Sequence, residues 1–122
     1  MSEQAANEDG SVTLEARGRT LLIGLNRPKK LNGLTPTMMR QLAGAYTRLN
    51  AEEDLWVGVV FAHGDHFCAG LDLPKFADKL AQGEFTAVTD ENPDDVDPFA
   101  LKKKCKKPVI CAVGGITYTA GL

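Results

Sequence analysis

Val57-Gly58-Val59-Val60-Phe61-Ala62 decides the fold class. The run is too short for an ordinary helix, is rich in β-branched residues and offers no polar position to water, so it reads as a strand buried on both faces. Upstream, Thr35-Pro36 marks a helix start. A hydroxyl at the N-cap accepts an orphan amide, and proline at the first helical position forfeits no intrahelical bond. Met38, Leu42, Ala45, Tyr46 and Leu49 then make one apolar stripe, which predicts an amphipathic helix running to about Asn50 or Glu53. A helix feeding a buried strand gives the α/β class, with Trp56 read as the anchor of that strand's start.

Further toward the N-terminus, Val12 to Arg17 alternates apolar and polar residues, Gly18-Arg19 punctuates it, and Thr20 to Leu25 follows as a more apolar run. Together they predict a β-hairpin, ended by Asn26-Arg27-Pro28. On the other side of the central run, His63-Gly64-Asp65-His66 reads as a solvated turn and Phe67 to Gly70 as a tight, small-residue segment. Asp72-Leu73-Pro74 opens a second helix through about Ala81, with Asp72 as its cap. From Gln82 to Lys107 periodicity is lost: Asp90, Glu91, Asp94, Asp95 and Asp97 are followed by Lys102, Lys103, Lys104, Lys106 and Lys107. This reads as a long mobile loop or lid with a short helix near Phe99 to Lys103, its opposite charges solvated partners of each other. Pro108 introduces a third apolar run, Val109 to Val113, and Gly114-Gly115 ends it. The sequence closes at Leu122 after a strand of the kind that normally feeds a helix, so the chain reads as incomplete at its C-terminus. The expected organisation is a flexible N-terminus over residues 1–10 and part of one domain over residues 11–122.

Composition narrows the function. With 122 residues, 43% of them hydrophobic, the chain can bury a real core. A net charge of −2 with interspersed signs lacks the basic face that nucleic acid or an anionic membrane surface requires. No apolar stretch has the length needed to cross a bilayer. Small-molecule chemistry is therefore expected. Cys68, Cys105 and Cys111 are an odd count without metal spacing, which suits a reducing cytoplasm. His63 and His66 lack a third ligand, so no metal site is expected. Ser2 and Ser11, the only serines, leave no serine triad.

Two glycine-bearing segments, Ala69-Gly70 and Gly114-Gly115 through Gly121, each follow an apolar strand. Their amides can converge at the ends of neighbouring strands, where α/β proteins bind ligands. Two such donors aimed at one carbonyl oxygen stabilise an oxyanion by roughly 3 kcal/mol each. A purely structural reading, in which these are ordinary strand-to-turn glycines, stands beside it.

Leu25-Asn26-Arg27-Pro28-Lys29-Lys30-Leu31-Asn32 resembles the N-R-P-K-x-x-N segment of the enoyl-CoA hydratase/isomerase (crotonase) family. Phe67-Cys68-Ala69-Gly70-Leu71-Asp72-Leu73 is similar to that family's F-x-A-G-x-D signature, and Lys107 to Gly115 to its K-P-V-I-A-A-V-x-G. The resemblance implies an α/β crotonase-like (ClpP/crotonase) spiral of β-β-α units, represented here by its N-terminal part. It implies an acyl-CoA-processing enzyme that stabilises a thioester enolate with a backbone oxyanion hole, the amides of Ala69 and Ala120 being the catalytic donors. Lys29, Lys30, Leu31, Ala69, Gly70, Leu71, Asp72, Leu73 and Gly115 are then the substrate and CoA contacts. No cofactor is implied beyond the coenzyme A of the substrate, and assembly as a homotrimer or hexamer is expected. Departures are visible too: Thr119-Ala120-Gly121 replaces a run of glycines, and Gly114 replaces Asn or Gln. The glutamates that serve as acid and base in a hydratase fall beyond Leu122. Two other functions stay open, a thioesterase or dehalogenase on the same fold and a truncated non-catalytic fragment acting as a binding or assembly module. Cys68, lacking a paired histidine, is expected to pack rather than react.

Overall fold

The computed structural model describes residues 8–81, 95–100 and 103–121. The expected hairpin is present: β1 (Ser11–Arg17) pairs antiparallel with β2 (Thr20–Asn26), with Leu14 opposite Ile23. After a 3-10 turn at Pro28–Lys30 comes helix α1 (Pro36–Ala51), then β3 (Val57–Ala62), which lies parallel to β2 with Ile23 beside Val60. Helix α2 (Leu73–Ala81) follows, and β4 (Val109–Cys111) adds parallel to β3. The described strands thus form one sheet in the order β1-β2-β3-β4. β1, β2 and α1 make one β-β-α unit, and β3, the segment around residues 67–71 and α2 make the next.

Helix α1 begins where its sequence says it must. The Thr35 hydroxyl accepts from the Met38 N–H at 3.2 Å and donates to the Asp9 carbonyl at 2.6 Å, with Pro36 in the first turn. Met38, Leu42, Ala45 and Leu49 face the sheet and meet Leu21, Ile23 and Leu25 of β2 and Val60 of β3 in the core. Each fully buried Leu or Ile there contributes about 1.5–3 kcal/mol over an exposed one. At the other end of α1, the Lys107 ammonium donates to the Glu52 and Leu55 carbonyls at 2.6 Å each. A cation there complements the helix C-terminus, so this lysine is engaged with backbone.

Several expectations need correction. β3 is buried on one face only: Gly58 and Val60 are buried beneath α1, while Val57, Val59 and Phe61 on the other side are half-exposed. That open face continues onto β4, where Ile110, beside Val59, is 58% exposed. Trp56 holds the entry to β3 from outside the core: its N–H donates to Arg19 O at 2.8 Å and the Arg19 guanidinium stacks 4.8 Å over its ring, which is 61% exposed. The N-terminal segment is not frayed over its described part, because the Glu8 carbonyl accepts from Arg27 Nε at 2.8 Å and Asp9 pairs with Lys75 at 3.0 Å. Of the short helix expected over Phe99 to Lys103, Phe99 and Ala100 lie in a turn where Ala100 N–H donates to Asp97 O at 2.9 Å, and residues 101–102 lie outside the described residues. The acidic residues Asp90, Glu91 and Asp94, Lys102, and most of the expected lid lie outside the described residues.

Candidate active site

The segment Phe67–Asp72 runs between two other stretches of backbone. On one side it meets the second glycine-bearing segment: the Phe67 N–H donates to Gly114 O at 2.9 Å, Cys68 N–H to Ile116 O at 3.1 Å, and Tyr118 N–H to Cys68 O at 2.9 Å. On the other side it meets the loop after β2. There Ala69 N–H donates to Leu31 O at 3.0 Å, Leu34 N–H to Gly70 O at 2.8 Å, and Asp72 N–H to Leu34 O at 2.8 Å.

The Ala69 assignment fails on this geometry. Its N–H is satisfied inside the protein by the Leu31 carbonyl, so it is not available to a substrate oxygen. Leu31 itself holds a left-handed conformation, φ 54°, at the end of the 3-10 turn, which presents its carbonyl toward Ala69. Two residues on, the pattern reverses. In the parallel bridge between Leu34 and Leu71, Leu34 bonds to the residues flanking Leu71. A parallel ladder that uses both neighbours turns the polar groups of the residue between them away from that partner. The Leu71 N–H accordingly has no acceptor among the described residues. The Ala120 N–H, in the 3-10 turn Thr119–Gly121, is also without one among them, since that turn is closed by Gly121 N–H on Tyr118 O at 2.7 Å. Early amides of a helical turn are left open in this way.

These two segments are in close contact. Gly70 has φ 103°, and a side chain there would collide with the Thr119 hydroxyl and come within 3.3 Å of Tyr118 O. Gly121 packs as tightly on Cys68. Cys68 is fully buried, as its packing role requires; burial raises its thiol pKa against the lowering effect of a hydrogen bond from the Gly70 backbone.

A cleft of about 800 Å³ is lined by Lys29, Lys30, Asp72 and Lys75, with Arg27, Pro28 and Pro74 among its walls; Asp72 is where the segment Phe67–Asp72 reaches it. Of the expected CoA contacts it therefore gathers Lys29, Lys30 and Asp72. Leu31 is partly exposed, Leu73 lies on the exposed start of α2, and Gly70 is buried at the junction. Gly115 is elsewhere, pressed against Asp65 and His66 with φ 62°, and shapes the turn instead of lining the cleft.

Asp72 stands at the head of α2, with Lys75 N–H on its backbone carbonyl at 3.0 Å, while its carboxylate, expected to cap the helix, pairs with Arg27 Nη1 at 2.7 Å. Desolvation acts to raise its pKa, but the hydrogen bond and charge of Arg27, with help from Lys75, hold the carboxyl below its ordinary range. Arg27 and Asn32 organise the loop. Arg27 is 4% exposed and donates to Glu8 O, Gly33 O and Asp72. Asn32 is 1% exposed; it accepts from Arg27 N–H at 2.7 Å and donates to the His63 and His66 carbonyls at 2.9 and 2.8 Å. Nor are the two histidines merely solvated. His63 Nε2 meets the Thr13 hydroxyl at 2.9 Å, and His66 Nδ1 accepts from Ile116 N–H at 2.9 Å.

The family model for enoyl-CoA hydratase/isomerase matches residues 20–122. The chain belongs to this family. Among curated relatives of the enoyl-CoA hydratase/isomerase chain is a probable peroxisomal enoyl-CoA hydratase 1 of Arabidopsis thaliana, 32% identical over 98% of the chain and 42% of the relative. Another is the mitochondrial 3-hydroxyisobutyryl-CoA hydrolase of Rattus norvegicus, 31% identical over 94% of the chain and 30% of the relative. The crystal structure of a probable enoyl-CoA hydratase/isomerase from Mycobacterium abscessus superposes with a TM-score of 0.79 at 32% identity, over 90% of this chain and 41% of that one. The fold is therefore crotonase-like, and the chain spans about two-fifths or less of the length of these relatives.

Proposed function

We propose that this chain supplies the thioester-holding part of an acyl-CoA-processing enzyme of the enoyl-CoA hydratase/isomerase type. The observation that carries the proposal is the pair of unpartnered amides, Leu71 and Ala120, on two segments that touch at Gly70 and Thr119. Leu71 replaces Ala69 as the first donor. Donors fixed before the reaction stabilise the negative charge that grows on a thioester carbonyl oxygen as its enolate forms, without reorganising at that moment. Lys29 and Lys30 in the cleft wall suit the phosphates of coenzyme A, since lysine presents a compact cation. No cofactor is required beyond the coenzyme A of the substrate. Asp72 is not the base, because its carboxylate is committed to Arg27; the acid and base of hydration are contributed by groups outside this set.

Hydrolysis at the same amides is the second reading, favoured by the likeness to the rat hydrolase. Assembly as a homotrimer or hexamer is part of the proposal. A cytoplasmic setting is supported by three free thiols. The full-length protein is expected to consume the conjugated absorbance of an enoyl-CoA with formation of a hydroxyacyl-CoA. Release of free CoA thiol instead points to the hydrolase reading. A folded protein that binds CoA thioesters without turnover contradicts catalysis and favours a binding module.

A further inference from the structure

We infer that Arg27 and Asp72 form a positioning pair that sets the direction of the Leu71 N–H. The inference rests on Leu71 being the thioester-facing amide, and it assigns a task to a buried ion pair that the reaction itself does not use. The Leu71 amide belongs to the peptide between Gly70 and Leu71. Gly70, at φ 103°, has no Cβ to restrict that peptide, so the unit is intrinsically free to flip. On one side the flip is opposed by Leu34 N–H on Gly70 O. On the other it is opposed by whatever immobilises Asp72.

Asp72 is held at three points: its N–H on Leu34 O, its carbonyl under Lys75 N–H, and its carboxylate on Arg27. The first two bonds are local to its own segment and to the residue that already restrains Gly70. Only the third ties it to an independent support. Arg27 is such a support because its remaining guanidinium bonds run to Glu8 O at 2.8 Å and Gly33 O at 3.0 Å. Its backbone meanwhile closes the loop, with Arg27 O accepting from Lys30 and Asn32 N–H and Arg27 N–H donating to Asn32 Oδ1. The planar fork reaches several acceptors at fixed angles, which a lysine ammonium does not reproduce. The pair thereby fixes the frame of the residue next to the donor amide, and a small error of aim there lowers the rate far more than it lowers binding.

The test uses Asp72→Asn and Arg27→Lys in the full-length protein. Turnover number is expected to fall about 10-fold or more while KM changes less than about 3-fold, as for lost orientation at retained binding. Asp72→Glu, which keeps the charge, is expected to restore part of the loss. Independently of any substrate, the Leu71 amide is expected to change its 15N shift and exchange faster in Asp72→Asn, with smaller changes at Met38 in the core. An unchanged Leu71 signal overturns the inference, as does a fall in turnover and affinity together that follows the loss of folded protein. A wild-type protein that neither binds nor converts CoA thioesters refutes the functional reading instead, and the Leu71 amide signal then still decides whether the pair sets its aim.

Discussion

The two segments bearing the open amides are fastened in different ways. Residues 69–72 are tied along their length, by Leu31, by both polar groups of Leu34 and by Arg27. Residues 114–121 are tied as far as Tyr118, through Phe67, His66 and Cys68, after which the turn is closed by its own Gly121-to-Tyr118 bond. Thr119 enters that turn at φ 46°, a conformation that a threonine does not favour. The direction of the first amide is thus determined by distant parts of the chain, whereas that of the second depends on a local turn and on its contact with Gly70.

Breaking that contact has the largest expected effect. Gly70→Ala places a methyl on the Thr119 hydroxyl at a positive φ, so it is expected to destabilise the fold by roughly 2–4 kcal/mol in urea unfolding. Adding Thr119→Ala should recover the steric part and leave the backbone part. A Gly70→Ala protein as stable as the parent means that the segments do not touch as described.

Asp72→Asn is expected to cost about 1–2 kcal/mol at neutral pH, as a charge-assisted bond becomes a neutral one. Because the folded pKa of Asp72 is depressed, this stability is present above its unfolded value and lost as pH falls through the lowered one. The gap in Tm between parent and variant should therefore be full above roughly pH 5 and close in acid, below the ordinary carboxylate pKa of about 3.9. A gap that is independent of pH contradicts the ion pair. The smallest effect is expected from the second segment: His66→Ala removes one acceptor from Ile116, costing about 1 kcal/mol. Hydrogen exchange should quicken at Ile116 and leave Leu34 protected; equal loosening of both segments erases the distinction between them.

Much of the fold was legible because its signals are local. Thr35-Pro36 carries its own cap chemistry, the hairpin its alternation and turn, and Asp72-Leu73-Pro74 its helix start. What was not legible depends on partners far away in the chain. Whether Val59 and Ile110 are covered is decided by which element packs on the second face of the sheet, not by their own apolarity. Trp56 looks like a core residue by type, yet its place at the strand entry directs it outward onto Arg19. The site divides along the same line. The motif segments stand out in the sequence, but choosing between the amides of Ala69 and Leu71 requires knowing that Leu31 and Leu34 lie alongside, a fact of tertiary pairing. Arg27 and Asn32 were visible as motif letters, while their work emerges only once Asp72, His63 and His66 are brought to them.

Replacing one backbone amide by an ester deletes a single N–H with the side chain kept, and doing so separately at Leu71 and at Ala69 in the full-length protein tests the assignment most directly. The ester at Leu71 should lower turnover of a CoA thioester by about 10²–10³-fold, the usual loss for one oxyanion donor, with little change in Tm. The ester at Ala69 should lower Tm by removing the bond to Leu31 and largely spare turnover. The reverse pattern, with activity lost at Ala69 and retained at Leu71, contradicts the account.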